Sequence, residues 1–243
     1  VALRPHHPCP CGSGKQYRLC CMPKRIDESE QAAAEIREAQ EPLERELCEF
    51  AVARLGPSAS DEAFEAFRLD DPITIDEKDA YEPGLFSTWF LYAWIRDWKG
   101  ARNTIARAFV ESAGEEMPDA ARYFVDLIVD TPHSFFEVTG VTPGRRIELR
   151  DLFLDTRHDV IERTASHALR EDEIIYARVL PLSGFSLLMG GGAMPLPASE
   201  KPAILACRDE LRSLFGTLSS FALLGSADTL RGMYLEMRRR RLE

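Results

Sequence analysis

Apolar residues recur at three- to four-residue spacing through the first half of the chain and change to short alternating runs after Pro132. That change of period predicts helices followed by strands. Asp27 reads as an N-cap, with Glu30 three residues on as a capping box and Ile26 before it as a hydrophobic staple. A helix is expected from there toward Gln40. It is Ala-rich over 31–39 with Ile36 as its one large apolar residue, so it reads as a spacer. Pro42 suits the start of a second helix, in which Leu43, Leu47, Phe50 and Ala51 share a face and Gly56 ends the run. Ser60 is expected to cap a short helix carrying Phe64 and Phe67.

The most aromatic stretch spans 86–95. Phe86, Phe90, Trp94 and Trp98 recur every four residues, with Leu85, Trp89 and Tyr92 on a neighbouring face. So wide a stripe predicts a buried central helix. A base-stacking platform would interleave its aromatics with Lys and Arg, which are scarce here. Pro118 opens a further helix with Ala121, Phe124, Val125 and Ile128 facing inward.

Five strands are expected beyond Pro132, at 135–138, 146–150, 159–162, 174–180 and 185–189, with turns at Pro143-Gly144 and Ser183-Gly184. Five short strands predict a small antiparallel barrel of SH3-like or OB-like type. Gly190, Gly191 and Gly192 have no following Lys-Ser or helix cap, so they read as a strand-ending turn rather than a phosphate cradle. A C-terminal helix follows Ser199, with Leu205, Leu211, Leu214 and Phe215 apolar. The cations of Arg238 to Arg241 suit a helix C-terminus better than nucleic acid.

Composition narrows the class without changing this outline. With 243 residues, 45% hydrophobic and 29% charged, the chain suits one large domain or two modest ones plus an appendage. The apolar runs at 89–95 and 187–189 fall far short of the roughly 20 residues of a membrane span. No apolar signal-peptide region opens the sequence. The expected location is cytoplasmic, with no membrane contact. Cysteines stay reduced there, so a cysteine cluster reads as metal ligands before disulfides.

Charge is uneven. Residues 1–26 hold Arg4, Lys15, Arg18, Lys24 and Arg25 and no acid, a charge of +5 that leaves −15 on the remainder of a chain whose net charge is −10. An acidic body repels phosphates. The basic head either meets an acidic partner or balances its own thiolates.

Four of the six cysteines fall in the string Cys9-Pro10-Cys11-Gly12-Ser13-Gly14-Lys15-Gln16-Tyr17-Arg18-Leu19-Cys20-Cys21. Zinc takes four ligands in a tetrahedron, and two thiolates from each end supply it if the chain turns back between them. Gly12 and Gly14 permit that turn. Backbone N–H groups in the turn can donate to the thiolates. Pro8 and Pro10 stiffen the incoming arm, and Tyr17 offers an aromatic body for a very small core. The metal ligands expected are Cys9, Cys11, Cys20 and Cys21, holding one Zn2+ per chain. A disulfide between adjacent cysteines would be strained. A P-loop at Gly12-Ser13-Gly14-Lys15 fails because Cys9 and Gln16 stand where Gly and Ser or Thr are needed. A catalytic zinc needs an open position, which four cysteines close. His6 and His7 lie close enough in sequence to replace a ligand.

This stretch resembles the SEC-C motif, best known from the C-terminal tail of the SecA preprotein translocase ATPase. Cys9, Cys11, Ser13, Gly14, Cys20 and Cys21 are in register with it, and Tyr17 fits. The resemblance covers about residues 6–24. It implies one zinc and, in SecA, binding to an acidic surface of the export chaperone SecB and to ribosomes. The chain has none of the ATPase motor. The body is similar to uncharacterised bacterial proteins that join an N-terminal SEC-C motif to a helical and β domain, through Trp89-Phe90-Leu91-Tyr92 and Phe136-Glu137-Val138. That likeness supplies no activity.

No catalytic residue and no organic cofactor site emerges. His133, His158 and His167 are scattered, and the sequence sets no Ser or Cys in a nucleophile pattern with one. Cys48 and Cys207 read as small core hydrophobes on helical patterns. The carboxylate-rich segment 70–79 lacks the Gly and spacing of a calcium loop and reads as a solvated, helix-starting loop. The expectation is an α+β protein with a zinc knuckle at 1–26, a helical domain at 27–131, a five-stranded antiparallel barrel at 132–197 and a C-terminal helical segment at 198–243. Its expected role is non-enzymatic: an adaptor whose basic knuckle binds an acidic partner such as a chaperone or nascent-chain machinery. The alternative is a ribosome- or RNA-associated factor. An enzyme with a site between helical lobe and barrel is a third class for which the sequence names no residues.

Overall fold

Cys21–Leu55 forms one helix, α1, of 35 residues in the computed structural model, which describes residues 4–69, 71–72, 81–98 and 100–243. This corrects two expectations. Asp27 lies inside the helix rather than capping it, and the backbone runs through Pro42 without a break. Proline forfeits one hydrogen bond and crowds the preceding turn, but the Ala, Glu, Gln, Arg and Leu on either side are strong helix formers. Gln31 donates to Glu35 one turn on at 3.0 Å. Gly56 ends the helix at φ +93°, its N–H bonded to Val52 O at 2.9 Å. The chain divides into two compact units, Val1–Pro42 and Leu43–Glu243.

The second unit opens with the C-terminal turns of α1, which bury Leu43, Leu47 and Ala51. Helices α2 (Ala59–Phe67) and α3 (Pro83–Tyr92) follow. The aromatic stripe is core as expected: Phe64 meets Phe86 at 5.4 Å and Phe67 meets Trp89 at 5.3 Å. The helix is shorter than the four-residue spacing predicts. It stops at Tyr92, and Trp98 lies instead on β1 (Ile95–Trp98), paired with β2 (Ala101–Thr104). Gly100, at φ +89° with its N–H on Asp97 Oδ1 at 2.7 Å, turns that hairpin, and Trp98 stacks on Phe50 at 5.5 Å. Thr104 then caps α4 (Ile105–Ala113), which the sequence reading missed, by accepting from Arg107 N–H. Helix α5 (Asp119–Asp130) follows Pro118.

Five strands close into a barrel: β3 (His133–Thr142), β4 (Arg146–Asp151), β5 (Arg157–Ile161), β6 (Ile174–Leu182) and β7 (Phe185–Gly191). Their order is β3-β4-β5-β7-β6, with β3 also paired to β6. The return of β6 beside β3 is a Greek-key connection. The barrel is mixed, not antiparallel, because β5 and β7 run parallel with Val160 opposite Ser186. An odd number of strands in a closed ring cannot alternate direction at every seam, so one parallel pair is unavoidable. Phe136, Val138, Ile147, Leu149, Val160, Ile175, Ala177 and Val179 fill the interior.

The C-terminal segment is three helices rather than one: α6 (Lys201–Phe215), α7 (Ser220–Gly225) and α8 (Ala227–Leu242). Leu211 is buried, whereas Leu214 and Phe215 are 77% and 49% exposed and do not serve the core. α3 packs on β7, and α7 and α8 pack on β3. The triple glycine makes this possible. A Cβ on Gly190 would lie 2.0 Å from Thr88 Oγ1, and one on Gly192 2.1 Å from Tyr234 Cζ. Most of the carboxylate-rich segment 70–79 lies outside the described residues; Asp71 accepts from the Tyr81 hydroxyl at 2.8 Å.

Candidate metal centre

The cysteine segment is a tight hairpin followed by a turn of 3-10 helix. Pro8 and Gln16 form an antiparallel bridge. Cys9 N–H donates to Lys15 O at 2.8 Å and Tyr17 N–H to His7 O at 2.9 Å. Gly12 and Gly14 sit between at φ +78° and +70°, the left-handed values that the reversal requires. The 3-10 turn at Tyr17–Leu19 then brings round Cys20, whose N–H bonds to Tyr17 O, and Cys21 opens α1.

The sulfurs of Cys9, Cys11, Cys20 and Cys21 lie within 4.8 Å of one another. Cys11 and Cys20 are 3.4 Å apart, and Cys20 and Cys21 3.9 Å. A tetrahedral ion with metal–sulfur bonds of about 2.3 Å sets its ligands about 3.8 Å apart, inside this range. None of the four is joined in a disulfide. Cys9 is buried, and so is Tyr17, while Cys11 is exposed. Among the described residues, neither His6 nor His7 joins the group.

Ser13 organises the charge. Its hydroxyl and its backbone N–H bring Cys11 down to about 6, helped by the neighbouring sulfurs. The Cys9 and Cys11 sulfurs push Cys21 up to about 12. The cluster therefore ionises easily once and resists further ionisation. A dication at the centre relieves that resistance, so the donor set fits a metal ion of thiolate preference. Lys15, Arg18, Lys24 and Arg25 are all exposed around it. Arg18 Nε donates to Gln16 at 3.0 Å, and Lys24 lies 3.9 Å from Glu28 across one helical turn.

Other sequence candidates resolve differently. Cys48 is exposed rather than a core residue, and Cys207 is half-buried. Of the terminal arginines, Arg238 pairs with the buried Glu82 at 2.6 Å, Arg240 reaches Glu200 at 3.5 Å and Arg241 donates to Pro195 O. The sequence offered no Ser or Cys partner for His158, yet its Nδ1 lies 3.3 Å from Ser186 Oγ, with Nε2 2.9 Å from Thr156 Oγ1. A separation of 28 residues hides that contact, which only the β5–β7 seam creates. Both imidazole nitrogens meet hydroxyls, and Asp151 accepts on Oδ1 from Ser134, Phe153 N–H and Leu154 N–H, so it does not orient the ring as a triad acid would.

A family model described as "Family of unknown function (DUF7986)" matches residues 28–206, and the SEC-C motif model matches residues 8–23. No curated protein and no solved structure matches the chain. Among the described residues, no helix is long and apolar enough to cross a membrane.

Proposed function

The chain belongs to the family of unknown function DUF7986 and carries a SEC-C motif ahead of the family's domain, and on that premise we propose that it is a zinc protein whose basic knuckle docks on an acidic protein surface. The observation that carries the metal reading is the convergence of four cysteine sulfurs within 4.8 Å. Four thiolates complete a tetrahedron and leave no open position, which is the pattern of a structural rather than a catalytic zinc. Bound there, the ion would cross-link the hairpin to the first residue of α1 and supply folding free energy to a segment too small to fold unaided.

The docking reading rests on charge. Zinc with four thiolates has a formal charge of −2, and the segment's cations more than offset it. Arg18 and Lys24 stand exposed. Elemental analysis of the purified protein should find about one zinc per chain. Capture from lysate, compared between wild type and Arg18→Glu/Lys24→Glu, tests the rest. The reversal should weaken capture of acidic proteins, most clearly at low salt, with zinc retained. Undiminished capture by the reversed protein would mean that the cations serve only to balance the metal site. Preferential recovery of RNA with a steep salt dependence would instead favour a ribosome-associated role.

A further inference from the structure

We propose that Cys11 and Cys20 are a peroxide-sensitive pair that closes to a reversible disulfide and thereby releases the metal from the knuckle. Access singles out Cys11. It is exposed, whereas Cys9 is buried and Cys20 and Cys21 are half-buried. It leads directly into the turn of Gly12 and Gly14, where a Cβ on either glycine would meet nothing within 4 Å. An oxidant arriving from solvent therefore meets Cys11 before the other three. Cysteines that respond to oxidants are accessible thiolates with a second cysteine beside them.

Proximity names that second cysteine. The Cys20 sulfur lies 3.4 Å from that of Cys11, nearer than the 3.9 Å between Cys20 and Cys21. The two residues are nine positions apart, and the hairpin and 3-10 turn between them bring their sulfurs together. A bond between Cys20 and Cys21 would join neighbours in the chain and carry strain. Cys9 is held inside the hairpin, its N–H on Lys15 O at 2.8 Å and its carbonyl accepting from Gly12 N–H at 3.3 Å.

The oxidant class is a peroxide. The Cys11 thiolate attacks the O–O bond, so that a sulfenic acid forms on Cys11 and hydroxide leaves. The Cys20 thiolate then attacks the Cys11 sulfur. The S–S bond forms, the S–O bond breaks and a second hydroxide leaves. Two sulfurs have lost two electrons, and hydrogen peroxide has become two hydroxides. Cys9 and Cys21 alone cannot complete a tetrahedron, so the metal is lost. A thiol reductant restores both thiolates by exchange. Metal release rests on the zinc reading above, whereas the pairing of Cys11 with Cys20 does not.

The test uses the wild-type full chain, whose zinc content is measured first. Absence of zinc at that stage would overturn the zinc reading and the release with it, and the same peptide map would still decide the pairing. Hydrogen peroxide is added in small excess with a chromophoric chelator present. Remaining thiols are alkylated and the chain is cut with trypsin. Lys15 and Arg18 lie between the two cysteines, so the disulfide joins peptides that cleavage separates, and fragmentation identifies the linked residues. The expected result is Cys11 joined to Cys20 as the main product, with loss of the bound zinc and recovery of it after dithiothreitol and fresh zinc. Linkage through another cysteine, sulfinic acid on Cys11 without a linked pair, or thiols that survive peroxide would overturn the proposal. So would a linked pair in a chain that keeps its zinc.

Discussion

The hydroxyl of Ser13 lies 3.1 Å from the sulfur of Cys20, while the same serine draws Cys11 toward its thiolate. One small side chain in the turn thus serves sulfurs from both ends of the segment. Outer partners of this kind typically change metal affinity about 10- to 100-fold when removed. Ser13→Ala should weaken zinc by that order while keeping one site per chain, as read by competition with a chromophoric chelator. An unchanged affinity would reduce Ser13 to a turn former.

Acidification should release the metal. Cys20 is raised and Cys21 pushed up to about 12, so a bound cation must displace protons from those two. Metal affinity then rises with pH and is lost as pH falls. Near pH 7.5 Cys11 already stands mostly ionised and yields little. Calorimetry in buffers of different ionisation enthalpy should therefore find that binding releases protons, Cys20 and Cys21 being two of the sources. Proton release near zero would contradict the arrangement of charge described above.

Chelation should act on one unit alone. The cysteine hairpin belongs to Val1–Pro42, and the aromatic core and the barrel to Leu43–Glu243. Removing the metal is expected to abolish the order of the hairpin, seen as four newly reactive thiols, with little change in the main thermal transition. Collapse of that transition on chelation would show that the barrel unit depends on the knuckle.

The triple glycine makes a further case. Gly192→Ala places a methyl group 2.1 Å from the Tyr234 ring, whose hydroxyl is held by Glu82 at 3.1 Å. Overpacking of this kind costs about 1–3 kcal/mol. Gly225→Ala meets nothing within 4 Å and serves as the control. Denaturant midpoints should fall for the first and hold for the second; equal midpoints would show that α8 yields freely.

Local features were the ones readable along the chain. The metal ligands fall between Cys9 and Cys21, so the turn that joins them is written in the same thirteen residues. Strand positions followed from alternation, which each segment carries by itself. Element ends were less legible. Pro42 marks a helix start as well as a tolerated interior position, and the spacing of Phe86, Phe90, Trp94 and Trp98 continued past the point where Gly100 turned the chain into a hairpin.

Amino-acid order alone therefore determined the cysteine hairpin and the change from helices to the barrel strands at Pro132, because those depend on neighbours a few residues apart. Closure of the barrel, the parallel seam that five strands impose on it, and the meeting of Gly192 with Tyr234 came from segments far apart in the chain. So did the burial of Arg178 and Arg231, residues that any local pattern assigns to the surface. Their environment is built by helices and strands that the rest of the sequence brings to them, and no short window contains it.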